Sequence, residues 1–194
     1  MNIAAILLAA GASRRMGAPK QLIRFDGHSL LRRAAETAIG SGASPVIVVL
    51  GARAEDMLPE LADLPIEAVI NPDWALGMSA SLRCGIQALL ALAPETEAVL
   101  VTLCDQPFVT GAHLGALIER FRAPITASLY NSTLGVPAVF ARALFPELEA
   151  LEGDSGARRL IQSHSAETTA FDLPEAAIDL DSPIDLNSFS AKLH

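Results

Sequence analysis

Short apolar runs alternate with helical segments along this chain, and that alternation limits the fold more than any other feature. Residues 3–9 (IAAILLA), 45–51 (PVIVVLG), 66–71 (IEAVIN) and 97–107 (EAVLVTLCDQP) are continuous apolar stretches closed by Gly, Asn or Asp-Gln-Pro. Such runs suit strands covered on both faces. Between them the spacing turns helical. Residues 29–39 put Leu30, Leu31, Ala34, Ala35 and Ala38 on one face, with Gly40 as a stop. Residues 52–62 read as a helix broken near Pro59, and 79–93 and 111–121 as further helices. Later, 124–130 and 135–140 read as strands with residues 131–135 looping between them, and 143–151 and 156–164 as short helices. The tail from Ala176 reads as a strand followed by a helix from about Ser182. Repeated strand–helix units predict an α/β fold, a mainly parallel sheet with helices on both faces and right-handed crossovers. With 194 residues, 51% of them hydrophobic, one domain over 1–194 can bury a full core.

In such a sheet ligands sit beyond the carboxyl ends of the strands. That points to three loops: 10–20, 71–79 and 104–108. The first is the most unusual. Six of the fourteen Lys and Arg residues (Arg14, Arg15, Lys20, Arg24, Arg32 and Arg33) fall within twenty positions, and no acid precedes Asp26. The chain as a whole carries a net charge of −8, which argues against nucleic acid or an anionic membrane as partner. A local cationic site on an acidic protein suits a small anion. Gly11 and Gly17 allow close backbone approach and positive φ, and Arg15 and Lys20 supply fixed charge for phosphate. The loop is not a Walker A, whose Lys directly follows its second Gly, and it is not GxGxxG. On residues alone an ordinary basic turn reads equally well. A secretory leader is excluded by order, because its basic residues come before the apolar run and here they follow it. No stretch approaches the roughly 20 apolar residues that span a bilayer.

Asp105 closes an apolar strand, where a carboxylate is costly unless paired or metal-bound. At a carboxyl end it suits a hard cation such as Mg²⁺, or serves as a turn acid before Pro107. Cys84 and Cys104 have no CxxC spacing and read as buried free thiols of a reducing, cytoplasmic protein. Gly77, Ser79 and Ser81 stand at a helix start, where free N–H groups can meet a ligand or Ser79 can simply cap. Trp74, the one tryptophan, reads as packing before stacking. In the tail, alternation puts Asp179 and Asp181 on one strand face, and Asp185 falls in a first helical turn. The four His residues read as solvated or capping groups.

The stretch LAAGASRRMGAPK resembles the signature of the MobA-like nucleotidyltransferases, L-A-[AG]-G-x-S-x-R-M-G-x-x-K. Leu8, Ala9, Ala10, Gly11, Ser13, Arg15, Met16, Gly17 and Lys20 match at every defined position. The likeness continues at NPDWALGMSASLRCGI, LCDQP, GVPAVF, LEGDSGARRL and DLDSPIDL, and resembles most the molybdenum cofactor cytidylyltransferase branch. It implies a Rossmann-like three-layer α/β/α fold of the glycosyltransferase-A type. The implied reaction transfers CMP from CTP to the phosphate of molybdenum-molybdopterin, giving the cytosine dinucleotide with release of pyrophosphate; the alternatives are the same chemistry with GTP or another phosphorylated acceptor, or a carrier that binds nucleotide or pterin without transfer. The implied cofactor is Mg²⁺, with Mn²⁺ as alternative. The implied partners are a molybdoenzyme or its maturation chaperone. Carried onto this chain, the metal acids are Asp105 and Asp181, and the phosphate cations are Arg15 and Lys20. The nucleotide contacts are Leu8, Ala9, Ala10, Gly11, Ser13, Gly17, Gly77, Ser79 and Ser81. The acceptor contacts are Asn71, Gly135, Pro137, Asp154 and Arg158. Ala10 stands where the guanylyl branch carries glycine, and Val136 where the family usually carries histidine.

Overall fold

The computed structural model describes residues 1–13, 19–25, 27–154 and 156–179. The strands are β1 (Ile3–Leu8), β2 (Arg24–Phe25), β3 (His28–Ser29), β4 (Val46–Leu50), β5 (Glu67–Ile70), β6 (Ala98–Leu103), β7 (Ile125–Tyr130), β8 (Thr133–Ala141) and β9 (Thr168–Asp172). The α-helices are α1 (Leu30–Gly40), α2 (Ala54–Met57), α3 (Met78–Leu92), α4 (Gly111–Glu119), α5 (Phe145–Glu149) and α6 (Gly156–Ser163). Seven strands form one sheet in the order β5-β4-β1-β6-β8-β7-β9, and β2 and β3 form a separate two-stranded ribbon. In the large sheet only β8 runs against its neighbours.

The strands are apolar throughout because both faces are covered. Ala5 and Leu7 point to a core shared with Leu31, Ala35 and Leu114 of α1 and α4. Ala4, Ile6 and Leu8 point to a second core shared with Leu82, Ile86 and Leu89 of α3 and with Leu148 and Ile161 of α5 and α6. Each fully buried Leu or Ile contributes about 1.5–3 kcal/mol of transfer free energy. Pro59 ends the regular helix as expected, since α2 stops at Met57 and a 3-10 turn follows over Leu58–Leu61.

Three expectations change. Residues 131–135 are not a loop. Asn131 and Ser132, with φ of 48° and 57°, make a tight hairpin, and β8 begins at Thr133. Two left-handed residues in succession match the twist of the strands they join, which sets β8 antiparallel to β7. Gly40 does not stop its helix; α1 includes it, and its bare Cα lies against Gly111 of α4. The tail strand lies elsewhere. The segment from Ala176 enters a 3-10 turn (Pro174–Ala177), while the last strand is the half-exposed β9 at the sheet edge. The apolar residues read as a strand are buried for another reason: Ala176 is covered and its carbonyl accepts a hydrogen bond from the Gln106 side chain at 2.9 Å. The expected helix from Ser182 and the acids Asp181 and Asp185 lie outside the described residues.

The basic cluster also disperses. Arg24 pairs with Glu60 at 2.8 Å, Arg32 grips both oxygens of Asp63 at 2.7 and 2.9 Å and also reaches Glu36, and Arg33 stacks on Phe25. These three fasten the β2–β3 ribbon and α1 to one another and to the 54–63 segment. Of the six cations, Lys20 is the one that the described residues place at the ligand edge. Among the described residues no helix is long and apolar enough to cross a membrane.

Candidate nucleotide-binding site

A cavity of about 640 Å³ opens at the carboxyl edge of the sheet. All three loops singled out in the sequence reach it, contributing Ala10–Ser13 and Lys20, Trp74, Ala75, Gly77 and Met78, and Cys104–Asp105.

One wall is the exit from β1. Ladder hydrogen bonds run one step past the strand, from Ala9 N to Val49 O (2.9 Å) and from Cys104 N to Leu8 O (3.2 Å). Beyond that point Gln21 takes over. Its buried amide donates to the carbonyls of Ala9 (3.1 Å) and Gly11 (2.6 Å), and its oxygen accepts from the Ser13 hydroxyl (3.0 Å). Ser13 in turn accepts from the backbone N–H of Lys20 at 3.0 Å. The left-handed residue here is Ser13 (φ 50°), not Gly11 as the sequence led one to expect. Gly11 has a different use: a Cβ there would meet nothing within 4 Å, so its bare Cα borders open space. Arg15 and Gly17 lie outside the described residues.

The floor is Asp105, just past β6. Its Oδ2 accepts from Lys20 Nζ at 2.6 Å, and its Oδ1 is buried without a hydrogen-bond partner. Asp105 and Lys20 expose 21% and 17% of their side chains, so water screens the pair only partly. The neighbouring Cys104 thiol is held well above its ordinary pKa by burial, which makes it an unreactive packing group.

The opposite wall joins two loops through glycines. Gly77, Gly153 and Gly156 all have positive φ. A side chain at Gly77 would collide with Asp154 Oδ1 and come within 2.7 Å of the Gly153 carbonyl; one at Gly156 would press on Met78 Sδ at 2.6 Å. Ser79 N–H donates to Gly153 O at 3.1 Å. This interlock brings Asp154, Trp74 and Met78 to the cavity. Gly51 admits the join with the first wall, since a Cβ there would lie 2.6 Å from Trp74 Cβ and 2.8 Å from Ala10 Cβ.

Of the residues expected at the site, Leu8, Ala9, Ala10, Gly11, Ser13, Lys20, Gly77, Ser81, Asp105 and Asp154 line the cavity. Five do not. Ser79 is fully buried inside α3, its hydroxyl has no hydrogen-bond partner, and it does not cap, because the cap position is Gly77. Asn71 is buried and structural: its amide donates to Ser81 Oγ at 3.1 Å and its oxygen accepts from Asp73 N–H. Gly135 lacks a side chain because the Tyr130 phenol fills that space, donating to Val136 O at 3.0 Å. Burial first, and then the nearby Asp179 charge, raises the pKa of that phenol. Pro137 sits within β8 and accepts from Ser128 Oγ through its carbonyl. Arg158 is exposed on α6. The sequence reading passed over Gln21 and Gly51 and ranked Asp179 below Asp181. Asp179 lines the cavity and is not in a strand, so the alternation that put it on one face with Asp181 does not hold at Asp179. His113 is a capping residue, completing a reciprocal box with Thr110 at the start of α4.

Among the described residues, three carboxylates (Asp105, Asp154 and Asp179) line the cavity against one ammonium, Lys20.

The MobA-like NTP transferase domain matches residues 5–168. This chain belongs to that family. Among curated relatives, nicotine blue oxidoreductase of Paenarthrobacter nicotinovorans is 34% identical over 80% of this chain and 79% of its own. Molybdenum cofactor guanylyltransferase of Rhodobacter capsulatus is 30% identical over 96% of this chain and 94% of its own. Among solved structures, Rv0371c of Mycobacterium tuberculosis superposes with a TM-score of 0.84 at 30% identity, covering 97% of this chain and 96% of that one. The same protein in complex with manganese gives 0.80 at 28% identity, covering 97% of each chain. Family and fold together make this chain a Rossmann-like nucleotidyltransferase.

Proposed function

We propose that this nucleotidyltransferase moves CMP from CTP to the terminal phosphate of a molybdopterin-type acceptor. An acceptor phosphate oxygen bonds to the α-phosphorus of CTP, the bond from that phosphorus to the β-phosphate bridging oxygen breaks, and pyrophosphate leaves. The observation that carries the reading is the first wall. The described part of the family signature, Leu8 to Ser13 and Lys20, lines one cavity with Asp105, and Lys20 reaches that carboxylate at 2.6 Å.

The Leu8–Gly11 backbone meets base and ribose, with the bare Cα of Gly11 giving room for close approach. Lys20, with Arg15, holds the β- and γ-phosphates and stabilises the departing pyrophosphate. The acceptor is already an anion, so no protein base is required. Asp154, with Trp74, borders the acceptor half. The residues fit a hard divalent cation, Mg²⁺ or Mn²⁺. Asp105 has a buried oxygen lacking any hydrogen-bond partner, and Asp179 adds a second carboxylate to the same cavity. Asp105 and the tail acids Asp179 and Asp181 are assigned to hold it. Such an ion, when bound, neutralises charge across the phosphates.

Choice of base rests on Ala10, whose methyl lies on the cavity wall beside Gly51 and narrows it against a purine. The relative named as a guanylyltransferase makes GTP the direct competitor. The test is product mass analysis after incubation with molybdenum cofactor, Mg²⁺ and either nucleotide. The cytosine dinucleotide and pyrophosphate are expected from CTP, and equal turnover of GTP overturns the base assignment. A second reading comes from the 34% identical relative named as an oxidoreductase: the same cavity serving a redox reaction. Pyrophosphate release coupled to dinucleotide formation decides for transfer, and its absence with every nucleotide decides against it.

A further inference from the structure

The strongest unexplained contact in the cavity joins two groups that the reaction needs apart. Lys20 Nζ sits 2.6 Å from Asp105 Oδ2. One of these groups is assigned to phosphate and the other to metal. The second oxygen of Asp105 is buried and without a hydrogen-bond partner, so it can ligate an ion only once the carboxylate turns, and the oxygen that an entering ion meets first is the one Lys20 holds. An ammonium and a divalent cation repel, and at contact with one carboxylate they compete. The cavity lining supplies no other described cation, while its three carboxylates would otherwise attract free metal.

We propose that Lys20 acts as a lock on Asp105, which keeps free divalent metal off the site and releases the carboxylate only when a polyphosphate takes over the ammonium. The lock is stable alone because the pair is mostly buried and charge-assisted. Metal without phosphate must first displace Lys20 from its charge-assisted contact at 2.6 Å, with no phosphate present to take the ammonium. Phosphate without metal meets the carboxylates. The two ligands together satisfy both groups: Lys20 moves to the β- and γ-phosphates and Asp105 turns to the metal. Binding of metal and polyphosphate is therefore strongly cooperative, and the site fills with the metal–nucleotide complex in preference to either part. The inference rests on the roles given to Asp105 and Lys20 above, but not on the base, and its test uses none.

Mn²⁺ alone is titrated into the full chain, with free ion read by electron paramagnetic resonance. Lys20→Met is expected to bind Mn²⁺ about tenfold more tightly than the native chain or more, the scale of one lost charge-assisted hydrogen bond. The gain should persist at high ionic strength, because it comes from a contact and not from distant charge. It should vanish in Lys20→Met/Asp105→Asn. Equal Mn²⁺ affinity in the native and Lys20→Met chains, or a gain that salt removes, overturns the lock. A second measurement needs no variant. Lys20 and Lys192 are the only lysines in the chain, so limited acylation followed by peptide mass spectrometry reads Lys20 against an internal reference. Lys20 labelling relative to Lys192 should rise several-fold with saturating Mn²⁺ and fall back when inorganic pyrophosphate is added. A ratio that does not change while Mn²⁺ binds overturns the proposal. Failure of the nucleotide reading would register separately, as absence of dinucleotide product with CTP and GTP.

Discussion

The two walls of the cavity are held in place by different means. The wall proposed for the nucleotide depends on one side chain: Gln21 ties together Ala9, Gly11 and Ser13, and through Ser13 the backbone of Lys20. The wall proposed for the acceptor, to which Gly77 is moved here from the nucleotide contacts that the resemblance implies, depends on missing side chains, because Gly77, Gly153 and Gly156 let two loops touch backbone to backbone. The first can be loosened by removing atoms and the second only by adding them. A wall braced by hydrogen bonds sets the position of donors and acceptors, which suits a ligand recognised at its base and phosphates. A wall set by close packing fixes shape, which suits a large rigid acceptor.

The largest expected effect lies where the walls meet. Asp105→Asn keeps the volume and removes the charge; turnover should fall by about 10²–10³, as for other single transition-state contacts, in assays of pyrophosphate release. Next is Gly77→Ala. Its φ of 105° strains any Cβ, at about 1–3 kcal/mol, and that Cβ has Asp154 in its way. Thermal unfolding should report the loss, and KM for the acceptor should rise while KM for CTP changes little. Gln21→Ala should do the reverse. It leaves two carbonyls and a hydroxyl without partners, each worth about 1–3 kcal/mol where buried, so KM for CTP should rise by one to two orders of magnitude with the acceptor KM little changed. If both variants moved the same KM, the division between the walls would be wrong. Ala10→Gly is smaller: one methyl is worth about 1–3 kcal/mol of selectivity, read as a shift of the CTP to GTP ratio in kcat/KM towards GTP. The smallest effect lies outside both walls. The hydrogen bonds from Arg32 lower the Asp63 pKa from 3.8 to about 2. A carboxyl lowered on folding stabilises the fold above its unfolded pKa and loses that contribution as pH falls through the folded one. Arg32→Met should therefore be less stable than the native chain at pH above 3.8, with the difference closing as pH falls to about 2, read by acid titration of far-UV circular dichroism, with the nucleotide assay unchanged.

Much of this was legible in the sequence because buried parallel strands and amphipathic helices leave strong periodic signals. β1, β4 and β6, and the loops at their carboxyl ends, followed directly from IAAILLA, PVIVVLG and EAVLVTLCDQP. β9 did not, since an edge strand with no fully buried residue, TTAFD, has neither a continuous apolar run nor strong β-branched density beyond its two threonines. In the site, Asp105 and Lys20 were readable as types at telling positions, but their contact across 85 residues was not. Gln21 was hidden because nothing in a local window distinguishes a surface glutamine from one whose amide is buried under a loop. Clustered arginines misled for the opposite reason: Arg24, Arg32 and Arg33 look like a phosphate patch until their partners Glu60, Asp63 and Phe25 fold back on them. Gly135 is the same lesson in the smallest residue, where a family motif position is filled by the fold's own Tyr130.

The hydrogen bond from Lys20 N–H to Ser13 Oγ ties the Ser13 hydroxyl to the backbone that carries the ammonium, while the same hydroxyl donates to Gln21, whose amide is fastened to the end of β1. One small hydroxyl is thus the relay between the sheet and the charge: its loss would loosen the lysine's backbone without touching either ligand.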